Sequence, residues 1–246
     1  MHIREVTAVE EYDACLALQR EAFGLPELEL SPRRHLIVAR AAGGWTLGAF
    51  DGERLVGFVL TQVALRGRAE VVGYSHMMAV AQDCQNRGVG ARLKWAQRER
   101  ALGEGWPFVK WTFEPARARN AHFNLNRLGV VVRRYEENFY GTDYATQAAE
   151  QGTHQGLDSD RLVAEWELDS PRVEALARGE RDAPREPEAT VEIPPDWTAL
   201  VRSDTAAARR EQRRVREEFR SALARGLVCA GFERDETRPR YLFFSE

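Results

Sequence analysis

One stretch of the chain constrains its fold more than any other: a strand that runs through a glycine turn into a helix. The apolar run Val71–Val80 predicts the strand, and helical periodicity begins at about Gly88. Between them the turn reads Gln85-x-x-Gly88-x-Gly90. Glycine lets a backbone approach a ligand closely, and the N–H groups at a helix start carry partial positive charge. The stretch therefore predicts a site for an anion, most often a phosphate or pyrophosphate.

A second interpretation of the same glycines is close packing in an ordinary strand-to-helix turn, and the sequence alone leaves both interpretations open. A nucleotide-binding P-loop is disfavoured, because the turn lacks the Gly-Lys-Ser/Thr motif of such loops.

Composition excludes several other classes of function. A net charge of −3 over 246 residues gives no field that would favour nucleic acid or an anionic membrane. No apolar run is long enough to span a bilayer, and the first residues do not resemble a secretory signal. The scattered Cys15, Cys84 and Cys229 disfavour a disulfide framework and are typical of a reducing compartment. We expect a cytoplasmic protein that binds neither nucleic acid nor membrane and holds no metal.

The order of predicted elements indicates an α/β or α+β fold with a mixed, mostly antiparallel sheet flanked by helices. The predicted strands are His2–Val6, Trp45–Phe50, Leu55–Val63, Val71–Val80, Phe108–Phe113, Val130–Tyr135 and Leu162–Leu168. Helices are predicted after the capping-box pair Thr7 and Glu10, after the glycine turn, and over Asn120–Leu128. One parallel crossover surrounds the glycine turn, and Thr146–Ser159 is predicted as a polar loop.

This pattern resembles the GNAT superfamily of acyl-CoA N-acyltransferases over roughly residues 1–168. The resemblance rests on Gln85-x-x-Gly88-x-Gly90 directly after a strand, on the helix that follows, and on Ala121 ahead of Gly129. It implies an enzyme that moves an acyl group, expected to be acetyl from acetyl-CoA, to a small-molecule or protein amine. Direct attack in a ternary complex is expected, with no covalent intermediate on Cys84. A non-catalytic acyl-CoA-binding protein is the alternative.

The resemblance also implies how coenzyme A is held. The N–H groups of the turn would bind its pyrophosphate, and the strand ending at Val80 would splay from its neighbour and pair with the pantetheine. The residues assigned in this way are Met78, Ala79, Val80, Gln85, Asn86, Arg87, Gly88, Val89, Gly90, Ala91 and Asn120. For Asn120 the alternative, a cap on the helix that follows, is the stronger expectation.

His76 is the first catalytic candidate. Strand alternation predicts Tyr74, His76, Met78 and Val80 on one face, with Ser75, Met77 and Ala79 on the other. In GNAT enzymes that act on arylalkylamines, a histidine at this position is similar to the group that takes the proton of the amine. Imidazole titrates near neutral pH, which suits that task. A core histidine with a satisfied hydrogen bond is the alternative.

Glu114 is the second catalytic candidate, because it ends the strand opposite the glycine turn and carries a carboxylate. A solvated charge is the alternative. Many GNAT enzymes have a tyrosine general acid four residues before the glycine matched to Gly129, and this chain has Leu125 there. Tyr135 and Tyr140 are close in sequence but are expected to be structural.

The last third of the chain extends beyond the resemblance. Residues 169–189 are charged and contain proline, which predicts a linker. Residues 190–246 predict a smaller β-α-β-β unit, whose element order suggests a degenerate half-repeat of the GNAT fold. The Arg-rich stretch Arg209–Arg220 on its helix is predicted to be a solvated face with i,i+4 ion pairs. We expect this unit to pack on the preceding domain, because its apolar residues are too many to bury alone.

Overall fold

The computed structural model of the chain describes residues 1–24, 27–141, 156–180, 182 and 185–246. Its contacts divide into two units, Met1–Trp111 and Thr112–Glu246. The division falls inside a strand, Phe108–Phe113. Most of the loop predicted at Thr146–Ser159 lies outside the described residues, as does Pro26, which was expected to help end the first helix.

The first unit contains a sheet whose strands are adjacent in chain order, from β1 to β5. They are β1 (His2–Glu5), β2 (Trp45–Asp51), β3 (Arg54–Arg66), β4 (Glu70–Val80) and β5 (Phe108–Phe113). The helices are α1 (Val9–Phe23), α2 (Arg33–Ala41) and α3 (Val89–Gly103), with 3-10 turns at Glu27–Glu29 and Gln82–Cys84. β1 to β4 pair in antiparallel fashion, whereas β4 and β5 are parallel, as a crossover through α3 requires. The sequence predicted the five strands, α1 and α3, but not α2.

The start of α1 differs in detail from its prediction. Glu10 was expected to close the capping box, but the carboxylate of Glu11 accepts the N–H groups of Thr7 and Ala8, at 2.9 and 3.2 Å. The helix begins after Ala8 rather than Thr7, which moves the capping carboxylate one residue along the chain.

Helices cover both faces of this sheet, as two neighbouring residues of β3 show. Thr61 accepts a hydrogen bond of 2.7 Å from Gln97 of α3, whereas Nε2 of Gln62 lies 2.6 Å from Nε2 of His35 on α2. Adjacent strand residues point to opposite faces. α3 therefore lies on one face, and α2, with α1 beside it, lies on the other.

A β-bulge interrupts β4 at His76. Leu60 of β3 pairs with Met77, but the next residue, Thr61, pairs with Ser75. Two residues of β4 thus oppose one step of β3, and His76 is the extra residue.

The bulge reverses the alternation of side chains along β4. Before it, Ser75 faces α3 and accepts a hydrogen bond of 3.0 Å from Lys94. After it, Met78 also faces α3, since a Cβ on Gly90 would lie 3.4 Å from its Cε. His76 contacts α2 on the opposite face. The prediction that His76 shares a face with Met78 and Val80 is therefore wrong.

The second unit contains a sheet ordered β7, β6, β9, β10, β8, with antiparallel pairs throughout its described register. Its strands are β6 (Val131–Glu136), β7 (Arg161–Glu167), β8 (Ala189–Glu192), β9 (Leu227–Glu233) and β10 (Arg240–Ser245). The helices are α4 (Ala118–His122), which continues into a π-helical turn at Phe123–Arg127, α5 (Pro171–Ala177), α6 (Trp197–Ser203) and α7 (Thr205–Ala224). The strand, helix, strand, strand order predicted for residues 190–246 is observed, with α6 as an addition.

The stretch predicted as a linker contains the helix α5. The hydroxyl of Ser170 accepts a hydrogen bond of 3.4 Å from the N–H of Val173. Pro171 occupies the first helical position, where an N–H group would have no acceptor within the helix, so proline is well tolerated there. Val173 is fully buried. High charge content hid this short helix, because its buried stripe amounts to little more than one residue.

Arg216 of α7 is buried in a cluster of acids, although the sequence predicted a solvated face. Its guanidinium donates to both oxygens of Asp160, each at 2.9 Å, to Asp158 at 2.6 Å, and to Glu137. The hydroxyl of Tyr135 also donates to Asp160, at 2.6 Å. A buried charge costs several kcal/mol unless it is paired, so this cluster fixes α7 against the residues that directly follow β6 and precede β7.

We predict that a chain truncated after Leu168 does not fold into a stable monomer. Truncation removes Arg216 from Asp160 and removes Phe219, whose ring packs 5.7 Å from that of Tyr135. It also removes Tyr241, whose hydroxyl donates to the carbonyl of Pro115 at 2.7 Å. Size-exclusion chromatography and dye binding to exposed apolar surface should show aggregation. A monomeric truncated chain with a cooperative melt would instead show that the C-terminal residues are dispensable.

Lys94 is buried in the first unit, with 2% of its surface exposed. Its ammonium donates to Ser75 and, at 2.7 Å, to Gln97, and it lies 3.5 Å from the centre of the Trp111 ring. Burial lowers the pKa of Lys94 well below its ordinary value of 10.5. The ring contact favours the charged form of Lys94, but burial opposes it and is the dominant cause of the shift.

Stability should therefore depend on pH through Lys94. Between its lowered pKa in the folded state and its ordinary pKa, the unfolded chain holds the proton and the folded chain does not. The free energy of unfolding then rises with pH, by at most about 1.4 kcal/mol per pH unit. Lys94→Met should flatten this rise in urea titrations at pH values just below the ordinary lysine pKa of about 10.4. Lys110→Met is the control, since Lys110 is half-buried and donates to the carbonyl of Leu65. An equal slope in both variants would contradict the assignment.

Candidate functional site

The turn between β4 and α3 has the backbone geometry of an anion-binding loop. Asn86 and Gly88 are left-handed, with φ of +61° and +78°, and Arg87 between them is not. Such alternation directs successive N–H groups toward one point. α3 begins immediately after Gly88, and the first N–H groups of a helix have no acceptor within it. Loop and helix therefore present their donors together.

The two glycines of the motif have different roles. A Cβ on Gly88 would meet no atom within 4 Å, so this glycine is needed for its positive φ, and the space beside it is open. A Cβ on Gly90 would lie 3.4 Å from Met78 and 3.9 Å from Val80. The packing interpretation therefore suits Gly90, whereas the open surroundings of Gly88 suit a ligand that approaches the backbone.

Side chains hold the turn in shape. The amide of Gln85 donates to the carbonyl of Val80 at 3.2 Å, which ties the turn to the end of β4. Arg54 of β3 forms two hydrogen bonds with the carboxylate of Asp83, at 2.8 and 3.0 Å. Burial, followed by the charge of Asp83, raises the pKa of the Cys84 thiol. Cys84 is thus a poor nucleophile at neutral pH.

The end of β4 is paired on one side and continues beyond its pairs on the other. Met78, Ala79 and Val80 pair with β3. The registered pairs between β4 and β5 stand earlier, at Gly73 and Tyr74. The structure thus places three of the predicted coenzyme A residues on a strand end next to the turn that carries Gln85, Asn86, Arg87, Gly88, Val89, Gly90 and Ala91.

His76 lies in a polar network that the sequence analysis missed. Its Nε2 lies 3.4 Å from Oγ of Ser31, and the same Oγ lies 3.1 Å from Nδ1 of His35. The other ring nitrogen of His35 meets Gln62. The rings of His35 and His76 pack edge to face, with centroids 5.2 Å apart. No local pattern marks Ser31 or His35, because they meet His76 only through packing of α2 on the sheet.

The surroundings of His76 favour its neutral form. Burial and, second, the nearby His35 lower the pKa of His76 below its ordinary value of 6.5. The side chain is half-buried. A neutral imidazole that is still within reach of solvent has the protonation state that a base at neutral pH requires.

The remaining predicted site residues lie in the second unit. Arg117 donates to the carboxylate of Glu114 at 2.9 Å and to the hydroxyl of Thr198 at 2.6 Å. Glu114 thus carries a paired charge. Asn120 is the third residue of α4, whose N-cap is Arg117. The expectation that Asn120 caps this helix is therefore wrong, while its contact with coenzyme A stays a prediction.

Leu125 and the tyrosines have structural surroundings. Leu125 is fully buried, and its carbonyl accepts a hydrogen bond of 2.9 Å from Arg172 of α5. Burial and the bond to Asp160 raise the pKa of Tyr135 far above its ordinary value. The Tyr140 ring packs against Phe139, with centroids 4.7 Å apart.

The model of the acetyltransferase (GNAT) family matches residues 12–129, a range that contains β4, the turn and α3. Residues 12–129 belong to the GNAT acetyltransferase family. Comparison with curated proteins gives no match.

Solved structures of GNAT proteins share the fold. The ribosomal-protein-S18-alanine N-acetyltransferase of Escherichia coli matches with TM-score 0.54 and 14% identity, over 69% of this chain and 94% of that chain. A GNAT-family acetyltransferase from Desulfovibrio desulfuricans gives 0.55 and 15%, over 68% and 98%. One from Elizabethkingia anophelis, with acetyl-CoA bound, gives 0.50 and 17%, over 68% and 97%. The predicted fold class and GNAT resemblance are thus confirmed.

The described residues contain neither a membrane-spanning helix nor a metal-binding cluster. Within this part of the chain, no helix combines the length and apolar character needed to cross a membrane. The same residues contain no cluster of three or more His, Cys, Asp or Glu side chains suited to hold a metal ion.

Proposed function

We propose that the protein is an acetyl-CoA-dependent N-acetyltransferase. The observation that carries the proposal is the turn at Asn86–Gly88, with its two left-handed residues directly before α3, inside the residues matched by the GNAT family. The acceptor class is an amine, on a small molecule or a protein. The Escherichia coli neighbour is named for a protein acceptor, the alanine of ribosomal protein S18.

The turn suits a pyrophosphate in shape and charge. Its converging N–H groups supply hydrogen-bond donors, the start of α3 supplies partial positive charge, and the open space at Gly88 admits the ligand. Arg87 is exposed beside these groups and adds a full positive charge. The end of β4 at Met78–Val80, past its pairs with β5, would pair with the extended pantetheine. Asn120 is kept as a further coenzyme A contact.

His76 is the proposed base. Acetyl-CoA supplies the acetyl group as a thioester, and the amine must be neutral to attack it. A backbone N–H near Met78–Val80 would donate to the carbonyl oxygen as negative charge develops there. His76, neutral because burial lowers its pKa, accepts the proton directly or through water. Glu114 is kept as a second candidate that would reach the acceptor amine.

The reaction needs no covalent acyl-enzyme and no side-chain acid. The thiol of Cys84 is held protonated by burial. The thiol of coenzyme A can leave as its thiolate without a side-chain acid, which is consistent with the buried Leu125 where related enzymes have tyrosine.

The domain division 1–168, 169–189 and 190–246 and a cytoplasmic location remain part of the proposal. The share of this chain that solved GNAT structures match, 68–69%, supports the domain division. Among the described residues Cys15, Cys84 and Cys229 are free thiols, which supports a reducing compartment.

The turn is tested by Gly88→Val. Saturating acetyl-CoA should raise the melting temperature of the unchanged protein by mass action, and the valine side chain should abolish that rise. Gly67→Val is a matched control, because Gly67 also has a positive φ, +63°, and open space around its Cβ, but lies in the β3–β4 hairpin. Both variants carry similar backbone strain. A full acetyl-CoA response in folded Gly88→Val would refute the assignment of the turn.

His76 is tested by its replacement with alanine. With acetyl-CoA and a panel of primary amines (phenethylamine, spermidine and an alanine-initiated peptide), His76→Ala should lower kcat at neutral pH by about 10²-fold or more. The deficit should shrink as pH rises and free amine accumulates. Acetyl-CoA affinity should not change.

Two results would point elsewhere. Cys84→Ala should keep its rate, so an inactive Cys84→Ala variant, or an acetyl group on Cys84 in a mass spectrum, would overturn direct transfer. An unchanged protein that binds acetyl-CoA but acetylates none of the amines would favour the alternative, a non-catalytic acyl-CoA-binding protein.

A further inference from the structure

The network around His76 forms a continuous chain of groups that both donate and accept hydrogen bonds. From Nε2 of His76 it runs 3.4 Å to the hydroxyl of Ser31, then 3.1 Å to Nδ1 of His35. From Nε2 of His35 it runs 2.6 Å to the amide of Gln62. His35 and Gln62 are half-buried, so the far end of the chain is within reach of water.

Hydrogen bonds with Gln19 hold the backbone of Ser31 in place. Gln19 of α1 is 1% exposed and clamps the backbone of Ser31 twice: its amide oxygen accepts the Ser31 N–H at 2.9 Å, and its amide nitrogen donates to the Ser31 carbonyl at 3.1 Å. These two hydrogen bonds fix the serine just before α2, whose third residue is His35. The hydroxyl is thereby held between the two imidazoles.

We propose that Ser31 and His35 form a proton relay that carries the proton of the amine away from His76. The inference rests on the proposed acetyltransferase function and extends it, because a half-buried base that packs against α2 must lose its proton before each new turnover. A serine hydroxyl between two imidazoles accepts one proton as it donates another, so no charge has to rest on it.

The transfer balances atom by atom. Nδ1 of His76 takes the amine proton, and Nε2 of His76 passes its own proton to Oγ of Ser31. The proton of Ser31 goes to Nδ1 of His35, and Nε2 of His35 releases its proton past Gln62 to water. Nε2 of His35 is then an acceptor, which matches the amide nitrogen that Gln62 presents to it. A half-turn of the Gln62 amide and exchange with water restore the first tautomers.

The groups that face His76 are compatible with transient charge. They are Ser31 and His35 from the α2 side and Tyr74 on its own strand, whose ring centroid lies 6.4 Å away. His35 near a charged His76 disfavours the imidazolium, which drives the proton outward. Ser31 and His35 are thus positioning residues that act through His76.

The experiment compares Ser31→Ala with Ser31→Thr, which keeps the hydroxyl. With acetyl-CoA and whichever of phenethylamine, spermidine and the alanine-initiated peptide the unchanged protein acetylates, Ser31→Ala should lower kcat by about tenfold or more. KM for acetyl-CoA should stay constant, and Ser31→Thr should restore most of the rate. The proton inventory of kcat in mixed light and heavy water should be curved in the unchanged protein and linear in Ser31→Ala. His2→Gln, a histidine stacked on Phe50 in the same unit, is the control with unchanged kcat.

His35→Asn supplies a second readout that a structural role would not move. Loss of the neighbouring imidazole should shift the acid limb of the kcat–pH profile to higher pH, because His35 lowers the pKa of His76. Wild-type kcat and an unshifted profile in folded Ser31→Ala and His35→Asn would overturn the relay and leave the proposed acetyltransferase standing. An unchanged protein that turns over none of the amines would overturn the acetyltransferase and the relay with it.

Discussion

A strand shows alternate side chains on alternate faces, and one inserted residue at His76 reverses that order for everything that follows it in β4. Because of the bulge, Ser75 and Met78 both contact α3, although they are three positions apart and would point to opposite faces of a regular strand. His76, which directly follows Ser75, points to the opposite face, toward α2. Without the bulge, Met77 and Ala79 would follow Ser75 on the face of α3, whereas the bulge places Met78 and Val80 there.

Local sequence signals were enough to predict most of the sheet and the turn. The strands show alternating or continuous apolar runs that end at glycine, proline or aspartate, and Gly88 and Gly90 mark the change from strand to helix. The sequence did not predict α2, because its apolar residues are consecutive and show no helical spacing. Leu36 and Ala39 are buried, while Ile37 and Val38 between them are exposed. The bulge was not predicted for a different reason: it depends on the register between two strands, which the sequence of either strand alone does not determine.

Only the part of the candidate site that is local in sequence was predicted. The turn is local in sequence, so its residues were found together. The residues of the network around His76 come from α1, α2, the segment between these helices, and β3, and they meet only after these elements pack together. Arg216 in the second unit was mispredicted for the same reason. The periodicity of its helix does not reveal that Asp158 and Asp160, which are distant in sequence, contact its guanidinium. Buried ion clusters lie outside what a charge pattern on one helix can predict.

The burial of Lys94 has a consequence for the chemistry of the chain itself. Lys94 and Lys110 are its lysines, and its other long basic side chains are arginines. A guanidinium stays protonated and does not attack thioesters, whereas an exposed lysine amine does so slowly. Lys94 is buried inside the unit, and Lys110 donates a hydrogen bond to the carbonyl of Leu65. The surface therefore has few lysine amines that an activated acyl group could modify. The protein is thereby protected against chemical acylation of its own surface.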